Sequence, residues 1–317
     1  MLGLGLASSH APAMFCPAEA WPVVYDAIPD YMKGSQPHTA KLETPEVIRQ
    51  QLARTDAAFE VLRKQIEDFA PDAIIYIGDD QGDLFNKSNI PAISIFTGNE
   101  VWGSTLPWYM GEPPEDSRLT IQVDSALAKH ILKGLMKRDF DPAYHETMQP
   151  LGNPERGVSH MVVFPHPKLV PDNDIPIVPI FLNEYFPPMP SARRCWNLGL
   201  ALQEIVDDWP GRVAIYASGG LSHDPIGPRA GWIDEPLDRW ILERIENNEG
   251  EELCSLFTFD SDTMSGGTGE TRAWVSVAAA CRRPAEIVDY VPSHHAKVGL
   301  SFAYWPWEDA AAAQAAE

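Results

Sequence analysis

Positive charge is what this chain has least of. Its 317 residues carry 24 lysines and arginines against 45 aspartates and glutamates, a net charge of -21. Such a field repels nucleic acid and anionic membrane surfaces, so neither is an expected partner. An anionic ligand would need local basic residues to overcome that repulsion. Long apolar runs are missing too, and none reaches the roughly 18 residues of a membrane span. The opening Met1-Leu2-Gly3-Leu4-Gly5-Leu6-Ala7 has no basic segment and is too short for a signal peptide, so it is read as a first buried strand. Cysteine is sparse: Cys16, Cys195, Cys254 and Cys281 show no CxxC or zinc-finger spacing. That usage suits reduced thiols in a cytoplasmic protein. No Gly/Ser-rich linker and no internal repeat divides the chain. One domain over residues 1–308 is therefore expected, followed by an Ala-rich frayed tail over 309–317.

A hydrophobic fraction of 44% with 22% charged residues is ordinary for a globular protein with a substantial core. Thr44 and Pro45 read as the N-cap and first residue of a long helix. Its apolar stripe runs through Ile48, Leu52, Phe59, Leu62, Ile66 and Phe69. Strands are expected at Ala73-Ile74-Ile75-Tyr76-Ile77, at 92–96, at 175–182 and at Arg212-Val213-Ala214-Ile215-Tyr216. Helices are expected over 125–137, from Ser191, as two acidic helices across 235–256, and from Glu270 to near Arg283. Two strands, 285–290 and 298–304, follow. A Trp- and Pro-rich loop is expected over 101–114. Strands alternating with helices predict an α/β fold, a layered domain with a central mixed sheet flanked by helices.

Chemistry-bearing residues gather at predicted strand ends, where ligands bind in open α/β sheets. The first strand leads into Ser8-Ser9-His10, the second into Gly78-Asp79-Asp80-Gln81, and a later one into Asn183-Glu184. Tyr216-Ala217-Ser218-Gly219-Gly220-Leu221-Ser222-His223 ends a strand in two glycines and a histidine. Glu270 adds a carboxylate after a Gly-rich turn. A histidine moves protons near neutral pH, and His with Glu forms part of a facial site for non-haem Fe(II). Taken singly, each also has a plain structural role, as a loop cap or a helix-dipole partner.

In order along the chain stand Ser8-Ser9-His10-Ala11-Pro12-Ala13, Pro187-Pro188, Arg194-Cys195 with Leu198-Gly199, and Gly219-Gly220-Leu221-Ser222-His223. Gly227-Pro228-Arg229-Ala230-Gly231 and Gly269-Glu270 ahead of Trp274 complete the series. Over nearly its whole length the chain thereby resembles the class III (LigB-type) extradiol ring-cleavage dioxygenases, the family of the protocatechuate 4,5-dioxygenase catalytic subunit. The resemblance implies a LigB-like fold, an Fe(II) cofactor held by His10 and Glu270, and His223 as acid/base. It further implies O2 and a carboxylated catechol of the protocatechuate, gallate or 3-O-methylgallate type as substrates.

The chain departs from the family pattern at two places. Gln81 stands where a second iron-binding His is expected, and a carbonyl oxygen is a poorer Fe(II) ligand than imidazole. Arg156 replaces the His of a His-Gly motif, with His160 four residues on. His160 is read as a catalytic residue or a replacement imidazole, Gln81 as the third metal position, and Arg156, Arg229 and Ser222 as substrate contacts. Two further readings stand beside the dioxygenase: a non-catalytic binding protein of the same fold and a metal-dependent hydrolase. A homodimer is the base-rate assembly. The lid is expected from the loop over 102–114 or from a small partner subunit.

Overall fold

The computed structural model describes residues 1–26, 38–107, 110–111, 115–225, 227, 229–259, 264 and 266–307. The tail over 309–317 lies outside the described residues, as do 108–109 and 112–114 of the expected lid loop and Ile226, Pro228 and Ser265 of the Gly-rich motifs. The strands are β1 (Leu2–Ser8), β2 (Ala73–Asp79), β3 (Ile93–Phe96), β4 (Glu100–Ser104), β5 (Arg118–Gln122), β6 (Ala143–His145), β7 (Ile177–Leu182), β8 (Val213–Ser218), β9 (Glu286–Ser293) and β10 (Val298–Trp305). The helices are α1 (Trp21–Asp26), α2 (Pro45–Phe69), α3 (Ser125–Met136), α4 (His160–Val163), α5 (His166–Leu169), α6 (Ala192–Asp207), α7 (Glu235–Glu246) and α8 (Thr271–Cys281).

Eight strands form one mixed sheet in the order β6-β3-β7-β2-β8-β1-β10-β9. Its centre, β7-β2-β8-β1, is entirely parallel, while β10 runs antiparallel to β1 and β3 antiparallel to β7. Both faces of these central strands are covered, so they read as continuous apolar runs. Alternate side chains still go to opposite layers. Ile75, Ile77, Ile215 and Ala217 pack with α3, α6, α7 and α8. Ile74, Tyr76, Ala214 and Tyr216 pack with α1, α2, α4 and α5. This is the expected α/β architecture with a helical layer on each side.

The capping residues act as expected. Thr44 Oγ1 accepts from the Val47 amide, and α2 ends at Ala70 in the left-handed conformation. Ser191, Asp124 and Asp234 cap α6, α3 and α7 in the same way. Of the two acidic helices expected across 235–256, the second is a short 3-10 segment, Gly250–Ser255. The stretch from 101 differs more. Glu100–Ser104 pairs antiparallel with Arg118–Gln122 to form a separate two-stranded ribbon. Val101 and Ile121 face each other across it and are fully buried, and Arg118 stacks over Trp102 at 4.0 Å. These alternating apolar positions are strand signals that the tryptophan- and proline-rich composition concealed.

Because the four central strands are parallel, their carboxyl ends meet at one edge of the molecule. There β1 leads into Ser9 and His10, β2 into Asp80 and Gln81, β7 into Asn183, Glu184 and Tyr185, and β8 into Gly219 and Gly220. The β9–β10 turn, residues 294–297, reaches the same edge, since β10 opposes β1 with Phe302 across from Ser8.

Candidate metal and catalytic site

His10 is held by the strand beside it. Ser218 Oγ donates its one proton to the Met161 carbonyl (2.7 Å) and therefore accepts from His10 Nδ1 at 2.9 Å. The proton on Nδ1 leaves a lone pair on Nε2, which is buried with no hydrogen-bond partner. That nitrogen lies 3.6 Å from Asp79 Oδ1 and 3.5 Å from Glu270 Oε2. Both Asp79 oxygens are likewise buried and unpartnered. Ligand atoms of His10, Asp79 and His160 fall within 4.8 Å of one another. The His10 and His160 rings meet edge-on at 4.4 Å.

His160 arrives from outside the main sheet. The β4–β5 ribbon holds the preceding segment by bonds from Val158 N to Trp102 O and from Ser104 N to Arg156 O, each 2.8 Å. Ser159 then caps α4, and His160 is its first residue. Glu270 is placed by β8 instead, accepting the Gly220 amide on Oε2 at 2.6 Å. Gly219 has φ 125°, and a Cβ there would sit 2.6 Å from Glu270 Oε2, so only glycine admits the carboxylate. Gly267 lies flat against His223, where a Cβ would overlap the imidazole ring.

Proton-carrying groups surround Glu270 Oε1. Tyr185 donates to it at 2.6 Å, Gln81 Nε2 donates at 3.0 Å, and His223 Nε2 lies 3.4 Å away. Tyr185 Oη is also 3.1 Å from His223 Nε2, and Gln81 Nε2 donates to it at 3.0 Å. The Leu221 carbonyl accepts from His223 Nδ1 at 2.9 Å, fixing the ring so that Nε2 faces this network. Burial opposes protonation of His223, yet the Glu270 charge and hydrogen bond raise its imidazole above the ordinary value. Burial likewise opposes ionisation of Glu270, while the charge and hydrogen bond of His223 hold it well below the usual carboxylate range.

Buried carboxyl groups crowd behind these residues. Burial, then the charge of Glu270, pushes Asp79 well above its ordinary value. Burial with Asp79 and Glu270 does the same to Glu184, whose two oxygens have no hydrogen-bond partner. A divalent cation would reverse that preference by supplying the missing positive charge. A buried, unpartnered imidazole lone pair beside an unpartnered carboxylate is the donor set such an ion needs, so these residues fit a non-haem Fe(II).

Five residues expected at the site, His10, Gln81, His160, His223 and Glu270, line one cavity of about 50 Å³. Pro12, Val24, Pro225 and Val298 make its apolar wall. Gln81 turns its amide nitrogen to Glu270 and Tyr185, so the group aimed at the carboxylate is a donor. The ligand atoms that do converge with His10 are those of Asp79 and His160.

The three expected substrate contacts are absent from the described lining of the cavity. Ser222 donates to Asp238 Oδ2 at 2.9 Å and accepts from the Asp234 amide, facing the fully buried Asp238 in the first turn of α7. Arg156 donates to the carbonyls of Leu106 (2.6 Å) and Gly111 (3.0 Å), so its fork holds a loop. Arg229 stacks over Trp232 at 3.6 Å, and its backbone bonds Asp224. Three residues not among those expected stand here: Asp79 beside His10, Tyr185 bonded to Glu270, and Lys297 in the cavity lining. For Asp79 a signal existed, a charged residue closing the apolar run Ala73–Asp79; Tyr185 and Lys297 had none in pattern or spacing.

Residues 36–300 match the family model described as the catalytic LigB subunit of aromatic ring-opening dioxygenase. The gallate dioxygenase of Pseudomonas putida is 29% identical over 157 residues, covering 48% of this chain and 44% of that protein. The 2,3-dihydroxyphenylpropionate/2,3-dihydroxicinnamic acid 1,2-dioxygenase of Photorhabdus laumondii is 28% identical over 185 residues, 58% of this chain and 53% of the relative. The chain thus spans about half the length of the curated relatives it matches. An uncharacterized protein of Escherichia coli K12, solved by crystallography, is similar over 95% of this chain and 99% of that one, at 12% identity and TM-score 0.41. Among the described residues no helix is long and apolar enough to cross a membrane. With five of the expected residues on one cavity and the family model matched from 36 to 300, the chain belongs to the LigB family of aromatic ring-opening dioxygenases.

Proposed function

We propose that this chain is an Fe(II)-dependent extradiol dioxygenase that opens the ring of a carboxylated catechol with O2. The observation that carries the reading is the unpartnered His10 Nε2 3.6 Å from the unpartnered Asp79 carboxylate, with His10 itself in the cavity wall beside His223. His10, Asp79 and His160 would hold the metal, with Glu270 at its edge. When bound, Fe(II) supplies a place where adjacent phenolic oxygens and dioxygen meet, and it acidifies the hydroxyls it binds. The chain's own part is proton handling. His223, anchored through Nδ1, holds or takes a proton at Nε2, and Tyr185 links that nitrogen to Glu270. Pro12, Val24, Pro225 and Val298 would lie against the ring.

The Gln81 amide donating to Glu270 favours a second reading, a binding protein of the same fold in which the amide takes up a carboxylate otherwise directed at metal. Anaerobic loading with Fe(II), followed by oxygen uptake with protocatechuate, gallate and 3-O-methylgallate, separates the two. The dioxygenase consumes oxygen with at least one of them, and His223→Ala keeps its iron while losing turnover. Bound iron without oxygen consumption on any catechol rejects the enzyme reading.

A further inference from the structure

Lys297 is the one lysine or arginine lining the cavity among the described residues. It closes the β9–β10 turn in the left-handed conformation, φ 65°, where glycine or asparagine is the ordinary choice. The turn is fixed from beneath. Glu43 Oε1 accepts from the His294 amide (2.7 Å), and Oε2 accepts from the His295 amide (2.8 Å) and ring Nδ1 (2.6 Å). The Lys297 ammonium meets the Pro225 carbonyl, two residues beyond His223, at a long 3.5 Å. Among the described residues it has no carboxylate within 4 Å, although the chain holds 45 acidic side chains. Burial accordingly pushes the ammonium down to about 8, with no anion offsetting it. A half-buried, unpaired cation is costly unless something answers its charge.

We propose that Lys297 is the substrate-specificity residue of this cavity and pairs with the carboxylate of an aromatic acid whose hydroxyls face His10 and His223. It takes the role that the sequence suggested for Arg156 and Arg229. In a chain of net charge -21, one ammonium at the cavity wall is what lets an anion enter. A lysine at a left-handed turn position is then explained by what its side chain reaches.

The inference rests on the proposed ring-cleavage reading, and its test separates the two. Binding of protocatechuate and of uncharged catechol to the anaerobic Fe(II)-loaded full chain is measured by calorimetry, for the parent and for Lys297→Met and Lys297→Arg. The parent should prefer the carboxylate by roughly 10- to 100-fold, the strength of one charge-assisted hydrogen bond. Lys297→Met should erase that preference while keeping catechol affinity, and Lys297→Arg should retain part of it. A parent without the preference, or a folded Lys297→Met that keeps it, overturns the proposal. Oxygen uptake on the same samples reports on ring cleavage separately: no uptake with the preference lost in Lys297→Met rejects the cleavage reading alone.

Discussion

Asp79→Asn should move the metal-free and metal-loaded forms in opposite directions. Asp79 is fully buried and both its oxygens lack donors, so the wild-type carboxylate receives no hydrogen-bond support. His10 Nε2 stands 3.6 Å from it and 3.5 Å from Glu270, so the two carboxylates lie no more than about 7 Å apart. At that separation and an effective dielectric of about 20, two full charges repel by roughly 2.4 kcal/mol. Asp79 relieves part of this by holding its proton, which makes about 2 kcal/mol an upper limit for the gain on removing the charge. The new amide can donate one of its two N–H groups to the orphaned His10 Nε2, which offsets part of its own desolvation. The metal-free variant should therefore melt no lower than the parent, and up to about 3 °C higher, from an unfolding entropy of about 2.1 cal/mol/K per residue. The metal effect runs the other way. Fe(II) at 100 times its Kd adds about 2.7 kcal/mol to the parent, a rise of about 4 °C. Most of that rise should vanish in the variant, which lacks a charged ligand. Anaerobic thermal melts with and without Fe(II) read both numbers. A metal-free variant destabilised by more than about 1 kcal/mol, or one with the full iron-induced rise, refutes Asp79 as a metal-facing carboxylate.

Further outcomes follow from the same geometry. Gln81→His removes the amide that occupies Glu270 and adds an imidazole, so Fe(II) affinity should rise about tenfold or more; unchanged affinity in an anaerobic titration would place Gln81 outside the metal's reach. Gly267→Ala puts a methyl group into the His223 ring. Turnover should fall by 100-fold or more, the usual worth of a positioned acid/base, with iron content retained, and a variant active at the parent rate would show that His223 is not the proton carrier. His166 is fully buried between Tyr76 and Asn173, and burial pushes it down to about 4. Since its folded value lies below the unfolded 6.5, its neutral form contributes stability above pH 6.5 that is lost as pH falls toward 4, at most about 3 kcal/mol. The melting temperature should drop across that window, and His166→Gln should flatten the slope; an unaltered slope would remove His166 as its cause.

The layered α/β plan was legible because its central strands are buried on both faces and announce themselves as apolar runs between capped helices. His10, His223 and Glu270 were legible because glycines and strand ends marked where side chains face the sheet's carboxyl edge, and His160 only through the family resemblance around Arg156 and Gly157. Asp79 was not, although it ends such a run, because a strand-end carboxylate beside Asp80 offers nothing to say which of the two turns inward. The fold decides it: Asp80 accepts the amides of Gly82, Leu84 and Phe85 and shapes the turn, while Asp79 turns inward beside His10. Ser222 and Arg156, expected as substrate contacts from their place in the sequence, stand outside the described cavity lining. One residue before His223, the Ser222 side chain points to the opposite layer, and Arg156 finds nearby carbonyls before it can reach the cavity. Lys297 belongs to a turn more than 70 positions from His223, and only the pairing of β10 with β1 brings it to the site.

The most direct measurement of the central claim is anomalous diffraction at the iron edge from crystals of the full chain loaded anaerobically with Fe(II). The account predicts a single iron peak within coordination distance, about 2.0–2.2 Å, of His10 Nε2, an Asp79 oxygen and a His160 ring nitrogen, beside Glu270. A peak that excludes Asp79 and His160, or no peak in the cavity at saturating iron, would contradict it.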